Sequence, residues 1–365
     1  MTKDRVAQNE DIVVLIMAGG GGTRFWPLSN QKCPKQFMNL FHERTLLQQA
    51  FDRVSGLVSA DHILILTNER YISIIREQLP EIPEANIIGE PIARDTAAAI
   101  ALGAVLCRSR FGNPTMVVLT ADHLIHPIEA FQRTLLSAVS AATEEGYLYT
   151  FGIVPTFPAT GYGYLEQGER IKEDDGIEHF QLLRFKEKPD LETARSYVAS
   201  NQFLWNSGMF VWTVETILNE IKRHLPDHAR ALLPLAEVDG TDEWGSAIRV
   251  AFETLPKISI DFGVMEKSKC VRTVRAEFEW SDVGGWLALE KFLSPDGAGN
   301  VACGCIKCQN ASGNIVFCKD DKETVALVGV DNLVVVRAGD KTLVVHRDYT
   351  EDVKKLVERL QLDKC

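Results

Sequence analysis

The chain has 365 residues, of which 45% are hydrophobic and 24% are charged, and its formal net charge is −11. This balance is typical of a globular protein and argues against overall attraction to nucleic acid or to an anionic membrane. The first residues are polar, and no run of roughly eighteen apolar residues occurs, so we expect neither a signal peptide nor a membrane span. The scattered cysteines are expected to be reduced thiols of a cytoplasmic protein.

Predicted strands alternate with predicted helices in the first part of the chain. Residues 12–17 form a continuous apolar run, typical of a strand buried in a parallel sheet. Further strands are predicted at 62–66, 86–89, 115–119 and 147–154, and helices at 46–54, 68–79, 95–108 and 128–145. This order predicts an α/β fold with a Rossmann-like mixed, mostly parallel sheet flanked by helices. Ligands of such sheets bind beyond the carboxyl ends of the strands.

The pattern changes twice further along the chain. From about residue 157, strand-like segments near Tyr164, Arg184 and Phe210 mix with helices at 191–199 and 214–224. After the Ser-Pro-Asp-Gly sequence at 294–297, short apolar segments are separated by turn residues, and 349–362 has helical spacing. We therefore predict a catalytic domain at 1–294. A small β-rich, β-helix-like domain with a terminal helix is predicted at 295–365.

Four consecutive glycines, at 19–22, follow the first predicted strand. Such a turn lets backbone N–H groups converge on an anion, and Arg24 and Lys35 add positive charge close behind it. A Walker A loop requires Gly-Lys-Ser/Thr, but here the last glycine precedes Thr23 and Arg24. A dinucleotide fingerprint fails because Phe25 stands where it requires glycine. We therefore interpret the segment as a phosphate-binding loop of another kind.

The glycine segment also carries a resemblance to a known family. Gly-Gly-Gly-Gly-Thr-Arg-Phe-Trp-Pro-Leu-Ser at 19–29, with Pro-Lys-Gln at 34–36, resembles the signature of sugar-nucleotide pyrophosphorylases. Later segments resemble the mannose-1-phosphate guanylyltransferases in particular. They are Glu-Pro-Ile-Ala-Arg-Asp-Thr-Ala at 90–97, Thr-Ala-Asp-His at 120–123, Thr-Gly-Tyr-Gly-Tyr at 160–164, Phe-Lys-Glu-Lys-Pro at 185–189, Trp-Asn-Ser-Gly-Met-Phe at 205–210, Ser-Ile-Asp at 259–261 and Trp-Ser-Asp-Val-Gly at 280–284. Asp95 departs from the family, which often has Asn there.

This resemblance implies that mannose 1-phosphate and GTP are converted to GDP-mannose and pyrophosphate with Mg²⁺, in a homodimer. It assigns nucleotide binding to Gly19, Gly20, Gly22, Thr23, Arg24, Lys35, Glu90, Arg94 and Thr96, with Arg24 and Lys35 also catalytic. It assigns sugar-phosphate binding to Gly161, Glu187, Lys188 and Asn206. It assigns the metal to Asp122 and Asp282. Without the resemblance, the simpler interpretations are a helix cap for Asp122 and a turn for Asp282.

Several alternatives fit the same residues. The loop would equally suit a heptose phosphate with GTP, or glucose 1-phosphate with UTP or dTTP. A non-catalytic regulatory subunit that binds GDP-mannose is a hypothesis of a different class. The spacing of four cysteines also permits a zinc site, although buried small residues in short strands are the preferred interpretation. These cysteines are Cys303, Cys305, Cys308 and Cys318.

Overall fold

The computed structural model describes residues 9–20, 23–30, 32–40, 43–320 and 322–362. Tertiary contacts divide the chain into two compact units. Of the described residues, those at 9–19, 48–121 and 125–280 belong to the first unit, and those within 20–47, 122–124 and 281–362 belong to the second. The boundary at residues 294 and 295 stays a prediction.

Seventeen strands lie in the described part of the chain. They are β1 Ile12–Met17, β2 Ile63–Asn68, β3 Ile87–Glu90, β4 Thr115–Thr120, β5 Leu124–His126, β6 Leu148–Ile153, β7 Tyr164–Asp174, β8 Ile177–Lys186, β9 Phe203–Thr213, β10 Val271–Arg275, β11 Glu279–Ser281, β12 Val301–Cys303, β13 Cys305–Gln309, β14 Ile315–Cys318, β15 Thr324–Val328, β16 Leu333–Ala338 and β17 Lys341–His346. The α-helices are α1 Leu46–Asp52, α2 Ile72–Gln78, α3 Thr96–Phe111, α4 Ile128–Glu145, α5 Leu191–Ser200, α6 Val214–His224, α7 Pro226–Leu232, α8 Trp244–Thr254 and α9 Val353–Leu362.

A nine-stranded sheet in the order β3-β2-β1-β4-β9-β6-β10-β8-β7 forms the centre of the first unit. The pairings of β1 with β2 and β4, of β2 with β3, and of β6 with β10 are parallel. All strands except β8 and β9 run in one direction, because each of these two is antiparallel to its neighbours. The mixed, mostly parallel sheet expected from the sequence is thereby confirmed.

Helix α3 lies in the core of the first unit. Its residues from Ala97 to Cys107 are all buried, because alanines and one glycine allow close approach on every side. A Cβ added at Gly103 would lie 2.6 Å from a methyl group of Leu15. Asp95 is the N-cap of this helix, and its carboxylate accepts a hydrogen bond from the backbone N–H of Thr96 at 2.8 Å.

The β-rich part of the second unit consists of two small sheets. Strands β12, β14 and β16 pair in parallel and β17 pairs antiparallel with β16, while β13 and β15 form a separate parallel pair. Buried asparagines connect successive turns, since Asn314 Nδ2 donates to Asn300 Oδ1 at 2.9 Å and to the carbonyl of Val330 at 3.1 Å. These parallel ladders agree with the predicted β-helix-like unit.

Two details of the second unit differ from expectation. The terminal α-helix begins at Val353 rather than near Tyr349, because residues 347–352 form a 3₁₀ turn with Tyr349 largely exposed. Cys318 is buried, but Cys305 and Cys308 are exposed, so the prediction of inward-facing cysteines is wrong for these two. Across the residues described, no three His, Cys, Asp or Glu side chains form a metal-binding group. No described helix has both the length and the apolar character needed to cross a bilayer.

Candidate functional site

A polar cavity of about 350 Å³ lies within the second unit. It is lined by Arg24, Phe25, Lys35, Asp122, His123, Asp282, Gly284 and Lys354. Four residues of this set were predicted from the sequence as site residues, namely Arg24, Lys35, Asp122 and Asp282. The fold therefore brings both predicted metal ligands and both predicted phosphate-binding cations to one cavity.

Lys35 is held in the wall of this cavity by three acceptors. Its ammonium nitrogen lies 3.0 Å from Oδ2 of Asp122 and donates to the backbone carbonyls of Asp282 at 2.6 Å and Val283 at 3.1 Å. An ammonium group has three donors, so the described acceptors use its full capacity. Val283 is held at φ 46°, a left-handed conformation that a β-branched residue rarely adopts. Lys35 thus ties Asp122 to the turn that carries Asp282.

The donors of the cavity are suited to a hard divalent cation. Mg²⁺ prefers one or two carboxylates and takes its remaining ligands from water and phosphate oxygens. Asp122 keeps a side-chain exposure of 32%, which leaves it accessible from the cavity. Burial by itself raises the pKa of Asp122, but the charges of Lys35 and His123 and the Lys35 hydrogen bond hold the pKa below its usual value. The carboxylate is therefore ionised at neutral pH, as a metal ligand must be.

Arg24 lies on a 3₁₀ turn that begins at Thr23, and its Nε is 3.1 Å from Oε2 of Glu351. Both side chains are exposed, so this pair is weak and Arg24 can exchange Glu351 for a phosphate oxygen. The Gly20 carbonyl accepts a hydrogen bond from Gln36 Nε2 at 3.0 Å. Gly22, also predicted to bind the nucleotide, lies outside the described residues.

Glu90 lies in the first unit at the end of β3, beside the other end of the glycine segment. A Cβ added at Gly19 would lie 3.6 Å from Oε2 of Glu90. The Glu90 side chain is buried, and its Oε1 has no hydrogen-bond partner in the described structure. Burial, followed by the nearby charge of Asp95, raises the pKa of Glu90 to about 8. A buried polar atom without a partner is costly unless a ligand satisfies it, which favours a ligand-binding role.

Two other predicted nucleotide-binding residues have structural partners in the same unit. The guanidinium of Arg94 donates to the carbonyls of Phe252 at 2.7 Å and Glu253 at 2.9 Å, near the end of α8. The hydroxyl of Thr96 accepts from the backbone N–H of Ile260 at 2.9 Å. Both side chains hold neighbouring segments together, and contact of either one with a nucleotide stays a prediction.

A second polar cluster of the first unit contains the residues predicted to bind the sugar phosphate. The ammonium of Lys188 lies 2.7 Å from Oε1 of Glu187, while the buried Oε2 of Glu187 has no described partner. A Cβ at Gly163 would collide with that oxygen and lie 3.2 Å from Cβ of Asn206, so a larger residue here would displace the Glu187 carboxylate. Gly161, which we predicted to line the sugar site, has open space where a Cβ would be. Gly163 is therefore the glycine that the close approach requires.

Asn206 is fixed in orientation within this cluster. Its carbonyl oxygen accepts from the Thr150 hydroxyl at 2.8 Å and from the Gly208 N–H at 3.3 Å, and its amide nitrogen donates to Oδ1 of Asp261 at 3.0 Å. One amide N–H remains for a ligand. Burial, followed by the charge of Glu187, raises the pKa of Asp261 to about 7.

Several residues of these two sites received no role from the sequence. Asp261 lay within a recognised motif, Ser-Ile-Asp, but its approach to Asn206 depends on a fold that sequence spacing does not reveal. His123 lay within the Thr-Ala-Asp-His motif without a role of its own, and it is buried and lines the cavity. Lys354 belongs to the terminal helix, whose packing could not be predicted.

Comparison with known proteins identifies families that this chain matches. A model described as nucleotidyl transferase matches residues 13–295, and one described as a MannoseP isomerase/GMP-like beta-helix domain matches residues 310–360. A mannose-1-phosphate guanylyltransferase of Escherichia coli is 39% identical over 96% of this chain and 74% of its own length. One from Salmonella montevideo is 41% identical over the same shares of the two chains.

Solved structures agree with these matches. A structure from Thermus thermophilus, described as a mannose-1-phosphate geranyltransferase, has a TM-score of 0.86 and 36% identity, and the match covers 96% of this chain and 99% of that one. A mannose-6-phosphate isomerase from Helicobacter pylori has a TM-score of 0.61 and 28% identity, with 74% of this chain and 99% of that one covered. The chain belongs to the nucleotidyl transferase family.

Proposed function

We propose that this protein transfers a guanylyl group from GTP to mannose 1-phosphate, forming GDP-mannose and pyrophosphate. The observation that carries the proposal is that Asp122 and Asp282 line the same cavity as Arg24, in a chain of the nucleotidyl transferase family. The relatives from Escherichia coli and Salmonella montevideo carry the name of this activity. The cavity is proposed to hold the triphosphate.

The sugar phosphate is assigned to the cluster in the first unit. Lys188 is 59% exposed and can leave Glu187 to pair with a phosphate, which then frees a Glu187 oxygen for sugar hydroxyls. The unpartnered Oε2 of Glu187 and the remaining N–H of Asn206 supply an acceptor and a donor. Hydroxyl groups, which both donate and accept, match this combination.

The reaction makes modest demands on acid–base chemistry. A phosphomonoester has a second pKa of about 6 and is largely dianionic at neutral pH, so its oxygen can attack the α-phosphorus without a general base. The protein must instead align two anions that repel each other and stabilise the leaving pyrophosphate. Arg24 serves the second purpose by exchanging Glu351 for phosphate oxygens.

Asp122 and Asp282 are assigned to Mg²⁺. When bound, the ion neutralises phosphate charge and favours departure of pyrophosphate. Lys35 keeps the Asp122 carboxylate ionised and oriented, and its bonds to the carbonyls of Asp282 and Val283 fix the turn. The homodimer and the cytoplasmic location stay predictions from the sequence.

A coupled assay of pyrophosphate release tests the proposal. The purified protein is supplied with each of GTP, ATP, UTP and dTTP, together with mannose, glucose or heptose 1-phosphate. We expect turnover with GTP and mannose 1-phosphate, its loss in EDTA and recovery with excess Mg²⁺. Faster turnover of another pair would favour the corresponding alternative enzyme, and full activity in EDTA would refute the metal assignment.

A variant pair separates an enzyme from a non-catalytic binding subunit. Asp282→Asn should reduce kcat by at least about a hundredfold, because it removes a metal-ligand charge. Asp348→Asn, an exposed aspartate of the same unit, should retain wild-type activity. A wild type without turnover that still binds GDP-mannose would support the regulatory-subunit alternative.

A further inference from the structure

The terminal helix α9 contributes a cation to the wall of the phosphate cavity. Lys354, the second residue of α9, lines this cavity together with Arg24, Lys35, Asp122 and Asp282. The neighbouring Val353 and Val357 are buried in the same hydrophobic cluster as Phe25, which follows Arg24. Because residues four apart share one face of a helix, these two valines anchor α9 and fix the direction of Lys354.

Arg24 and Lys35, the other arginine and lysine side chains of the cavity wall, already have partners. Lys35 is held by Asp122 and two carbonyls, and Arg24 lies 3.1 Å from Glu351. Lys354 makes no hydrogen bond or ion pair with any residue that the structure describes. The next residue, Lys355, is by contrast paired with Asp352 at 2.7 Å. Among the lysine and arginine side chains that line the cavity, Lys354 is thus the one that can meet an incoming anion without breaking a described contact.

We propose that Lys354 binds the pyrophosphate portion of the nucleoside triphosphate and of the free pyrophosphate product. This inference rests on the proposed function, which places the triphosphate in this cavity. A pyrophosphate group carries several negative charges, and a compact ammonium on a flexible stem suits an anion whose position changes as it leaves. The terminal helix is therefore part of the substrate site as well as of the fold.

The test compares Lys354→Ala, Lys354→Arg and the matched control Lys355→Ala, which removes the same charge from the neighbouring position. The KM values for GTP and mannose 1-phosphate are measured in the forward direction, and those for pyrophosphate and GDP-mannose in the reverse direction. We expect Lys354→Ala to raise the KM for GTP and the KM for pyrophosphate about tenfold, because one charge-assisted contact is lost. The KM values for mannose 1-phosphate and GDP-mannose should not change, Lys354→Arg should recover most of the loss, and Lys355→Ala should match the wild type.

Two outcomes would overturn the inference: unchanged KM values for GTP and pyrophosphate in Lys354→Ala, or equal increases for all four substrates. Calorimetric titration with pyrophosphate alone separates this inference from the proposed function, because it requires no sugar and no base. Weaker pyrophosphate binding by Lys354→Ala would support the role of Lys354 even if the wild type proved inactive with mannose 1-phosphate. Equal binding by variant and wild type would refute that role even if the enzyme were active.

Discussion

The ammonium nitrogen of Lys35 lies 3.0 Å from Oδ2 of Asp122, and its two other acceptors are the carbonyls of Asp282 and Val283. This relationship joins the two segments that carry the proposed metal ligands. The sequence predicted a catalytic cation that neutralises phosphate. The geometry favours a positioning role, since every donor of Lys35 has an acceptor within the protein.

Lys35→Met should raise the lowest pH at which the protein still binds the metal ion. Burial raises the pKa of Asp122, and in the wild type the Lys35 charge opposes this effect and holds the pKa low. Without that charge the carboxylate becomes protonated at a higher pH and ceases to be a ligand. The measurement is Mn²⁺ affinity by electron paramagnetic resonance between pH 5 and 8.

The control for this prediction is Lys32→Met, an exposed lysine of the same segment, which should keep the wild-type profile. If Lys35→Met lost Mn²⁺ affinity at the same pH as the wild type, this would contradict the positioning role. Lys35→Met should also be less stable than the wild type by about 2–4 kcal/mol, because it leaves a carboxylate and two carbonyls without their donor.

Sequence patterns predicted local structure well because local structure depends on neighbouring residues. The apolar run at 12–17 became strand β1 with the predicted bounds, and α4 likewise spans the predicted 128–145. The site was predicted only where residues fall within a recognised motif. The contact of Asp261 with Asn206 joins residues 55 positions apart, and that of Lys35 with Asp282 joins residues 247 apart. Such contacts depend on strand order and helix packing, which periodicity does not encode.

Glu351→Gln should lower the KM for GTP. Arg24 must exchange Glu351 for phosphate, and an exposed pair of this kind contributes about 0.2–1 kcal/mol, which corresponds to roughly 1.4–5-fold in affinity. Steady-state kinetics at low ionic strength would measure the effect, and it should diminish as salt is added. Glu358→Gln, on helix α9 that follows the turn of Glu351, provides the control. A KM for GTP that is unchanged or higher in Glu351→Gln would show that Glu351 does not compete for Arg24.

Glu90→Gln should abolish a pH dependence of guanine binding. Burial raises the pKa of Glu90 to about 8, so the side chain is largely protonated at pH 7. Acceptance of two N–H groups of guanine requires the ionised form, so binding should release a proton and become tighter from pH 6 to 8.5 in the wild type. GDP-mannose is the suitable ligand for calorimetry, because its diphosphate has no terminal phosphate that titrates near neutrality. If the affinity for GDP-mannose changed with pH equally in the wild type and in Glu90→Gln, Glu90 would be excluded from base recognition. Glu84→Gln serves as the exposed control.

Asp261→Asn should stabilise the protein at alkaline pH while it weakens sugar-phosphate binding. Burial and the charge of Glu187 raise the pKa of Asp261 to about 7, whereas an unfolded aspartate titrates at about 3.9. Between these values the native protein binds more protons than the unfolded chain, so the free energy of unfolding falls as pH rises through this window. The amide of Asn at this position keeps an acceptor for Asn206 but has no charge to bury. The variant should therefore melt about 2–6 °C above the wild type at pH 8, and at the same temperature as the wild type near pH 4.

Thermal unfolding at the two pH values measures this difference, with the exposed Asp242→Asn as control. The same variant should have a higher KM for mannose 1-phosphate, because the charge of Asp261 no longer fixes the Asn206 amide. A difference in Tm of the same size at both pH values would indicate a change in packing rather than in proton binding. A stabilised variant with an unchanged KM would show that Asp261 takes no part in sugar recognition. The free-energy cost of burying its charge would then not be linked to ligand binding.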